Sequence, residues 1–326
     1  MKALALLSGG LDSTLAVKLI LDQGIDVVAV KFSSPFCLCD QGGKCFALES
    51  ARKFNIPLKT MYKGEDYFKV LRKPKFGYGS GMNPCIDCRI FMLKKAKKYA
   101  EEIGAQFIFT GEVLDERPMS QYYKALKIIE REAGLEGKIV RPLSAKLLPE
   151  TEAEKMGWVD RNQLLDIGGR SRKTQIAMAK KLEITDYPCP SGGCLLTYKE
   201  FANKVRDLLK HKKRVTLKDV ELLKVGRHFR LGENKLIVGR NEAENKTLLR
   251  LKNKTDHVFE VPDCGSPITI LQGKKLKETI EFAARLTATY SDAEGDKVLV
   301  KYGKPKPSRK ITVTPINEQE ISKFRI

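Results

Sequence analysis

Seven residues near the start of the chain, SGGLDST at positions 8–14, restrict the fold more than any other feature of the sequence. They follow a short apolar run, ALALL at 3–7, and precede an amphipathic stretch that ends near Gly24. A glycine pair between a buried strand and a helix is typical of a phosphate-binding loop. Glycine lets the main chain approach a phosphate, and the helix start offers free N–H groups. The segment has neither the GKS/T of a Walker loop nor GxGxxG.

The polar residues of this segment indicate a nucleotide site. We expect Asp12 to hold Mg²⁺ or a metal-bound water, because hard cations prefer carboxylate oxygens. The glycines and hydroxyl groups would contact the phosphates of ATP through main-chain and side-chain hydrogen bonds. The residues expected to bind ATP are Ser8, Gly9, Gly10, Asp12, Ser13 and Thr14. The alternative is a strand–turn–helix connection without a ligand.

Strand-like and helix-like segments alternate after this loop. The strand-like segments are ALALL, DVVAVKF, LKTMYK, QFIFTGE and KIVRPL. Residues 151–184 are predicted to be mainly helical. From about residue 200, a basic helix precedes short strand-like pieces such as KLIVGR and TLLRL, with one helix near 275–290. We predict an α/β domain over residues 1–199, with a parallel sheet covered by helices on both faces, and a smaller α+β domain over 200–326.

The charge of the chain indicates an anionic partner. Sixty Lys and Arg residues against forty Asp and Glu residues give a net charge of +20, and residues 201–326 contain 28 basic and 16 acidic residues. Such an excess favours nucleic acid, although a lysine-rich thermophile surface has a similar composition. No apolar run approaches the roughly 18 residues of a membrane helix, and the first ten residues do not form a signal peptide. We expect a cytoplasmic protein without a membrane partner.

Clustered cysteines indicate metal or sulfur chemistry, because a cytoplasmic chain does not keep a disulfide framework. PCIDC places Cys85 and Cys88 three positions apart at a helix start, and SGGC supplies Cys194 on a glycine-rich turn. Three such thiolates can hold three irons of a [4Fe-4S] cluster and leave the fourth iron open. A redox dithiol and half of a structural zinc site are the alternatives for the CxxC pair.

The remaining cysteines are less informative. Cys189 is an alternative third ligand, but the glycines beside Cys194 allow a closer approach. Cys264 is interpreted as structural. Another group follows the second predicted strand and could hold a second metal, receive sulfur or have no role: Cys37, Cys39 and Cys45.

Several ordered motifs within residues 1–197 resemble known enzymes. SGGLDST is similar to the pyrophosphatase loop, SGGxDS, of the adenine-nucleotide α-hydrolase-like ATPases, a Rossmann-like family that splits ATP between the α and β phosphates. TGEVLDERPMSQ followed by IVRPLSAK resembles the TGE, SQ and RPL series of tRNA 4-thiouridine synthetases. PCIDC and GGC resemble the sulfur-chemistry segments of tRNA 2-thiouridylases, on whose two key cysteines Cys88 and Cys194 fall. Cys85 completes the set of the iron–sulfur-dependent members.

The C-terminal third resembles the RNA-binding domain of the NFACT proteins in VGRHFRLGENKLIVGRNEAENKTLLRL, CGSPITIL and AARLTATYSD. This resemblance implies tRNA as a partner, gripped here in place of the N-terminal THUMP domain of classical 4-thiouridine synthetases. The side chains expected to donate to phosphates or base edges are Arg227, His228, Arg230, Arg240 and Asn241. In GRSRKTQ, three more are expected to contact phosphates of ATP or tRNA or to cap a helix: Arg170, Arg172 and Lys173.

Together, the resemblances imply an ATP-dependent tRNA uridine thiolase. The uracil oxygen would attack the α-phosphate of ATP, and sulfur supplied at Cys85, Cys88 and Cys194 would displace AMP. The motifs favour 4-thiouridine at tRNA position 8, with 2-thiolation of another uridine as the alternative. A zinc-containing deazaguanine nitrile synthase and a non-catalytic RNA-binding adaptor are the rival hypotheses. The sulfur donor (sulfide or a cysteine desulfurase-type protein) and the oligomeric state, with a homodimer as one option, stay open.

Overall fold

The computed structural model describes residues 1–38, 44–185, 187 and 193–326. The chain divides into two compact units, residues 1–198 and residues 199–326. Each unit contains hydrophobic clusters that belong to it alone. None of the helices in the described ranges combines the length and the apolar character that crossing a bilayer requires.

A five-stranded parallel sheet forms the centre of the first unit. Its strands are β1 (Lys2–Leu6), β2 (Asp26–Ser33), β3 (Leu58–Tyr62), β4 (Phe107–Thr110) and β5 (Ile139–Val140). They are hydrogen-bonded in the order β3–β2–β1–β4–β5. The chain first builds outward from β1 through β2 to β3 and then returns to add β4 on the other side of β1. The direction of winding therefore reverses between β1 and β4.

Helices cover both faces of this sheet, as predicted. They are α1 (Leu11–Leu21), α2 (Phe46–Lys53), α3 (Glu65–Arg72), α4 (Cys85–Glu102), α5 (Tyr123–Ala133), α6 (Glu152–Lys155) and α7 (Lys173–Lys181). The residues of β1 alternate between the two cores: Ala3 and Ala5 pack with α1 and α2, whereas Leu4 and Leu6 pack with α4 and α5. Burial of both faces explains why β1 is a continuous apolar run.

The segment 151–184 is less helical than predicted, because only α6 and α7 form there. Between these helices, a short 3-10 helix at Arg161–Gln163 is followed by main chain that pairs with another segment. The N–H of Leu165 donates to the carbonyl of Pro142 at 2.9 Å, and the N–H of Ile167 donates to that of Leu143 at 2.8 Å. The apolar residue Leu164 is buried in the core from this irregular backbone.

A six-stranded antiparallel sheet forms the centre of the second unit. Its strands are β6 (Arg227–Leu231), β7 (Asn234–Val238), β8 (His257–Glu260), β9 (Thr269–Gln272), β10 (Val298–Gly303) and β11 (Arg309–Val313). They are hydrogen-bonded in the order β11–β10–β8–β9–β7–β6. The helices are α8 (Lys199–His211), α9 (Leu217–Leu223), α10 (Glu242–Leu251), α11 (Lys277–Thr289) and α12 (Glu318–Ser322). Helix α11 packs on one face of the sheet and α9 with α10 on the other, which confirms the predicted α+β class.

The piece TLLRL belongs to helix α10 and not to a strand, contrary to the prediction. Asn241 caps this helix by accepting a hydrogen bond from the N–H of Glu244 at 3.0 Å. Leu248 and Leu251, three residues apart, face the sheet, whereas Leu249 is exposed. This spacing follows the helical period, which a five-residue window is too short to reveal.

Candidate active site

A cavity of about 340 Å³ lies at the carboxyl edge of the parallel sheet, where the direction of winding reverses. The last residues of β1 and β4, Leu6 and Thr110, both reach it. Ligand sites of open α/β sheets occur at this position, because the loops after the two strands diverge and leave a crevice. Its volume lies within the range of small-molecule sites.

The phosphate loop supplies one wall of the cavity. Ser8, Gly10, Asp12 and Ser13 line it. The Ser13 hydroxyl donates to the carbonyl oxygen of Gly10 at 2.9 Å and lies 3.1 Å from the hydroxyl of Ser8. These bonds hold the loop in shape at the start of α1, with Gly10 as its N-cap. A helix N-terminus presented to a cavity favours bound anions such as phosphate.

Gly9 and Thr14 support the loop without lining the cavity. Gly9 has φ +79°, and a Cβ atom there would lie 2.3 Å from the main-chain nitrogen of Ala47 in α2. The Thr14 hydroxyl donates to the carbonyl of Gly10 at 3.0 Å and lies 3.2 Å from the hydroxyl of Ser50. Thr14 is buried, which corrects the expectation that its side chain faces the nucleotide.

Asp12 carries the charge of the loop. Its Oδ2 accepts from the guanidinium of Arg172 at 3.2 Å, while its Oδ1 is buried and has no hydrogen-bond partner within the described ranges. Burial raises the pKa of Asp12, and the positive charges of Arg172 and Arg117 oppose that rise. A buried carboxylate oxygen without a partner, next to a phosphate-type loop, suits a hard cation such as Mg²⁺. Arg172 thus lies in the cavity, as expected.

The TGE segment lies directly beside the phosphate loop, and its Thr110 and Gly111 also line the cavity. A Cβ atom on Gly111 would lie 2.4 Å from both the Cα and the main-chain nitrogen of Ser13. Only glycine therefore lets the loop after β4 touch the first turn of α1. This contact explains why a TGE motif accompanies the phosphate loop.

A buried ion network joins the TGE, PCIDCR and RPL segments. Glu112 lies 3.2 Å from the Nε of Arg89 and 3.1 Å from the Nε of Arg141. Arg141 also pairs with Glu130. Burial alone would raise the pKa of Glu112, but Arg89 and Arg141 lower it and keep the carboxylate ionised. Arg89 also lines the cavity, so the network fixes a cation at its wall.

Three predicted thiols meet at the cavity. Cys85 and Cys88 lie in the first turn of α4, and Cys194 enters from the far end of the unit. Asn83 donates to the Sγ of Cys85 at 3.1 Å, and the ammonium group of Lys63 donates to the Sγ of Cys88 at 3.2 Å. The structure therefore brings together side chains that are separated by more than a hundred residues.

The thiols influence each other's ionisation. Burial, together with the neighbouring Cys88 and Cys85, raises the pKa of Cys194 to about 11 against the opposing effect of Lys63. Burial likewise raises the pKa of Cys85, and Cys88 adds to it. Closely spaced thiolates repel one another unless a metal centre neutralises them, so this set suits a metal-bound state.

Two kinds of metal centre make different demands on their ligands. In the parts of the chain that the structure describes, no three His, Cys, Asp or Glu side chains converge on a single metal ion. A [4Fe-4S] cluster binds each thiolate to a separate iron, so its ligands surround a larger volume. Cys85, Cys88 and Cys194 line the same cavity, and they are the residues that would hold such a cluster.

The other cysteines have different positions. Cys37 also lines the cavity, because its main chain forms an antiparallel β-bridge with that of Cys194. Cys45 accepts a hydrogen bond from the ammonium group of Lys31 at 3.0 Å and precedes α2. Cys264 is exposed and so has no packing role in a core. Two others lie outside the described residues: Cys39 and Cys189.

Sequence reasoning missed several residues of the cavity. Tyr67 on α3 is buried beside the thiols, and burial together with Cys88 raises its pKa. Lys63, Asn83 and Arg117 also line the cavity. Tyr67, Lys63 and Asn83 lie outside the recognised motifs, and α3 was not predicted. Two signals were available: Lys63 ends a predicted strand, and Arg117 lies within TGEVLDERPMSQ.

The basic residues singled out in the second unit are mostly engaged within that unit. The Nε and Nη2 of Arg230 donate to the carboxylate of Asp207 at 2.9 and 2.5 Å, and Arg240 pairs with Glu244 in the same way. Arg227 lies over the ring of Tyr290 at 4.6 Å. His228 is 1% exposed and its pKa is lowered well below its usual value by burial, so it is a neutral core residue and not a surface donor.

The remaining expected donors have other environments. Asn241 uses its side-chain oxygen as the cap of α10. Arg170 and Lys173 are exposed in the first unit and do not line the cavity. Of the GRSRKTQ segment, only Arg172 is part of the site.

Comparison with known proteins gives one family match in each unit. Residues 1–146 match the family model described as thiamine biosynthesis protein (ThiI), and residues 226–325 match the model described as NFACT protein RNA binding domain. The chain thus combines a ThiI-type region with an NFACT-type RNA-binding domain at its C-terminal end. Both resemblances inferred from the motifs are confirmed.

Curated relatives match part of the chain. A probable tRNA sulfurtransferase of Thermococcus kodakarensis is 30% identical over 151 residues, which cover 44% of this chain and 36% of that protein. The tRNA-specific 2-thiouridylase MnmA of Clostridium acetobutylicum is 30% identical over 119 residues, which cover 32% of this chain and 34% of that protein. The chain therefore spans about a third of the length of these relatives.

Two solved structures are also similar. One is a 4-thiouridine synthetase–RNA complex with bound ATP, at 22% identity and a TM-score of 0.39, covering 68% of this chain and 52% of that chain. The other is the U34-tRNA thiolase NcsA from Methanococcus maripaludis with its [4Fe-4S] cluster, at 17% identity and a TM-score of 0.34, covering 69% and 70%. Because both TM-scores are below 0.5, neither similarity decides the fold or the function of this chain.

Proposed function

We propose that the chain is an ATP-dependent sulfurtransferase that replaces an oxygen of a tRNA uridine with sulfur. One observation carries the proposal: the phosphate loop with Asp12 and the thiols of Cys85, Cys88 and Cys194 line the same cavity. A nucleotide site and a sulfur site must be adjacent if the activated base is to meet sulfur without leaving the enzyme. The names of the curated relatives support the same reaction class.

The first half of the reaction uses the phosphate loop. The uracil carbonyl oxygen attacks the α-phosphorus of ATP, the bond to the bridging oxygen breaks, and pyrophosphate leaves. Asp12 would hold Mg²⁺ against the phosphates, and Arg172 would balance the negative charge beside it. Stabilisation of charge on phosphorus by fixed cations and main-chain N–H groups is the main catalytic device that such a site offers.

The second half of the reaction uses the thiols of Cys85, Cys88 and Cys194. A hydrosulfide sulfur attacks the activated carbon, and AMP leaves with the former carbonyl oxygen, so the exchange needs no oxidant or reductant. A [4Fe-4S] cluster on Cys85, Cys88 and Cys194 would supply an iron without a protein ligand to which sulfide binds. Lys63, whose ammonium group donates to the Cys88 sulfur at 3.2 Å, would place a positive charge beside this ligand. Sulfide, or a cysteine desulfurase-type protein that produces it, would be the donor.

The finer assignments belong to the same proposal. The TGE, SQ and RPL series favours 4-thiouridine at tRNA position 8, and 2-thiouridine at another position is the competing product. The NFACT-type domain would hold the tRNA, and the target base would leave its stack to reach the cavity. We place the reaction in the cytoplasm, where tRNA and ATP occur.

An anaerobic reconstitution tests this function. The protein is purified without oxygen, its iron, acid-labile sulfide and zinc are measured, and it is incubated with ATP, Mg²⁺, sulfide and unmodified tRNA. We expect about four irons per chain, and equal amounts of AMP and thiolated uridine after digestion of the tRNA. Chromatography against 4-thiouridine and 2-thiouridine standards identifies the product.

Alanine variants separate the parts of the hypothesis. We expect loss of iron and of product in the variants Cys85→Ala, Cys88→Ala and Cys194→Ala. The matched control is Cys264→Ala, which removes an exposed cysteine of the second unit. Tightly bound zinc without iron would exclude the cluster and point to the deazaguanine chemistry. AMP formation without thiolated nucleoside would exclude the sulfurtransferase, and no AMP formation with any tRNA would favour a non-catalytic adaptor.

A further inference from the structure

The hairpin of β10 and β11 carries a dense group of positive charges in the second unit. Residues 301–310, KYGKPKPSRK, contain five basic residues and no acidic residue. In the register of this hairpin, Tyr302 pairs with Arg309 and Lys301 pairs with Lys310. Lys304 and Arg309 are exposed. None of these residues was among the RNA contacts expected from the sequence.

A second segment adds to this charge. Lys275 lies between β9 and α11, at the end of the sheet where β10 ends and β8 begins. The charges of Lys275, Lys304 and Arg309 all act on the buried ring of His257. Burial and these three cations lower its pKa. Residues that influence one imidazole in this way lie around it, so the two segments form one surface. We call Lys275, Lys304 and Arg309 the hairpin patch.

The hairpin patch differs from the other basic residues of the unit in its lack of acidic partners. Among the residues that the structure describes, no carboxylate lies within 4 Å of these three cations, whereas Arg230 and Arg240 are paired with Asp207 and Glu244. The nearby Asp256 acts on Lys275 through its charge, but it lies beyond ion-pair distance. Its Oδ2 accepts hydrogen bonds from the main-chain N–H of Asn253 and the side-chain amide of Gln272 at 2.7 and 3.0 Å. Like charges gathered without compensation destabilise a fold, unless a polyanion binds them.

A rigid base supports these cations. Tyr302 stacks on Phe259 with ring centres 5.5 Å apart and on His257 at 6.4 Å. Phe259 is fully buried in the core beneath α11. The stack holds the end of β10 in place, so the patch would lose little conformational entropy when it binds a ligand.

We propose that the hairpin patch is the surface on which the second unit binds the phosphate backbone of RNA. This inference rests on the proposed function, since it names the place where the tRNA is held. Lysines and an arginine without acidic partners suit phosphates, which neutralise them and release counterions. The match of this unit to an RNA-binding domain selects RNA over the other polyanion of the cell, an anionic lipid surface.

Binding measurements on the full-length protein test the patch. The triple variant Lys275→Gln, Lys304→Gln and Arg309→Gln removes three charges, and the control Lys224→Gln, Lys246→Gln and Lys323→Gln removes three from elsewhere on the same unit. We expect the patch variant to bind a tRNA transcript at least about tenfold more weakly, and its plot of log affinity against log salt to be shallower by roughly two. The control should keep affinity and slope, and thermal unfolding verifies that both variants are folded.

A labelling experiment examines the native chain without any substitution. Amine acetylation followed by mass spectrometry should show Lys275 and Lys304 protected when tRNA is added, while Lys224 and Lys246 react as before. Unchanged labelling of Lys275 and Lys304, or equal loss of affinity in both triple variants, would overturn the proposal. Stronger binding to phosphatidylserine vesicles than to tRNA would also overturn it.

The outcomes separate this inference from the proposed function. If native protein thiolates tRNA and the patch variant binds it normally, the patch is wrong and the enzyme stands. If tRNA binding depends on the patch but no thiolated nucleoside forms under any condition, the patch stands and the sulfurtransferase is wrong. If the native chain binds no tRNA, both are wrong.

Discussion

At the scale of single residues, Asp12 has the most direct proposed role in chemistry. Its buried Oδ1 has no partner in the described parts of the chain, and its Oδ2 is held by Arg172. Asp12→Ala removes the carboxylate that would bind Mg²⁺, so we expect formation of AMP and pyrophosphate to fall by roughly 100-fold or more, with tRNA affinity unchanged. Quantifying both products with labelled ATP checks this. Asp22→Ala, at the other end of α1, is the control, and equal rates for Asp12→Ala and native protein would remove ATP chemistry from the loop.

Glu112 has a structural role that can be measured separately. Glu112→Gln leaves the partly buried Arg89 against an uncharged amide, and it leaves the buried Arg141 with Glu130 as its acidic partner. Breaking a buried pair costs about 3–5 kcal/mol, and the remaining pair keeps the expected loss at the lower end of this range. Urea unfolding of the native and variant proteins at pH 7 should show this loss of the free energy of unfolding. The control Glu132→Gln removes an exposed carboxylate 2.8 Å from Lys75, and no measurable change is expected there. A small effect at Glu112 would mean that water reaches the network.

The same network makes stability depend on pH. Because the pKa of Glu112 is lower in the folded protein than in the unfolded chain, its contribution to stability is complete above its unfolded pKa of about 4.3. The contribution disappears as the pH falls through the lower folded value. Urea midpoints measured between pH 3 and pH 7 should fall more steeply for native protein than for Glu112→Gln. Parallel curves would show that other carboxylates dominate acid unfolding.

Partners distant in sequence limit what can be predicted for single residues. The composition of the second unit indicated an anionic partner, but it did not show that Arg230 is paired with Asp207, 23 residues earlier in the chain. Local patterns also do not show whether a histidine is exposed, and His228 is buried in the centre of β6. By contrast, the loop motif predicted the position of Asp12, because a loop directly after a parallel strand lies at the carboxyl edge of the sheet.

At the scale of elements, Gly111 is the point where the loop after β4 meets α1. Gly111→Ala would place a Cβ atom 2.4 Å from the main chain of Ser13, so the helix start must move away from the strand. A displacement of this size at a reacting centre costs roughly 100-fold in rate, and we expect that loss in AMP formation with native-like circular dichroism. Gly64→Ala is the control, because its nearest neighbour, a carboxylate oxygen of Asp66, lies at an ordinary 3.6 Å. Full activity of Gly111→Ala would show that α1 adjusts without cost.

The elements themselves differ in how well the sequence predicts them. Strand β1 and helix α1 were predicted from the sequence, because a wholly apolar run followed by a glycine turn is compatible with few other secondary structures. Helix α3 was missed, since EDYFKVLR is only eight residues long and lacks a side-chain cap. The segment 151–184 was predicted too helical because its apolar residues reach the core from main chain that pairs with residues 142–143. Short elements of this kind depend on tertiary contacts more than on local pattern.

At the scale of the whole molecule, two separate sets of core residues predict two independent folding units. We expect residues 1–198 and residues 199–326, produced as separate proteins, each to unfold cooperatively in urea. The first fragment should retain ATP binding, and the second should bind tRNA with most of the salt dependence of the intact chain. Calorimetry and fluorescence anisotropy check these expectations. If only the first fragment bound tRNA in a salt-dependent way, the RNA contact would belong to the first unit and our assignment would be wrong.

The main-chain β-bridge between Cys37 and Cys194 has a consequence for the order of assembly. Leu195 donates its N–H to the carbonyl of Phe36 at 2.9 Å, so the end of the first unit folds back onto the loop after β2. During synthesis, Cys85 and Cys88 leave the ribosome more than a hundred residues before Cys194, and closing so long a loop costs entropy that the finished core must offset. The nascent chain can therefore present only two of the three thiols. The proposed metal centre, which needs Cys194, would be loaded only after the first unit has been made.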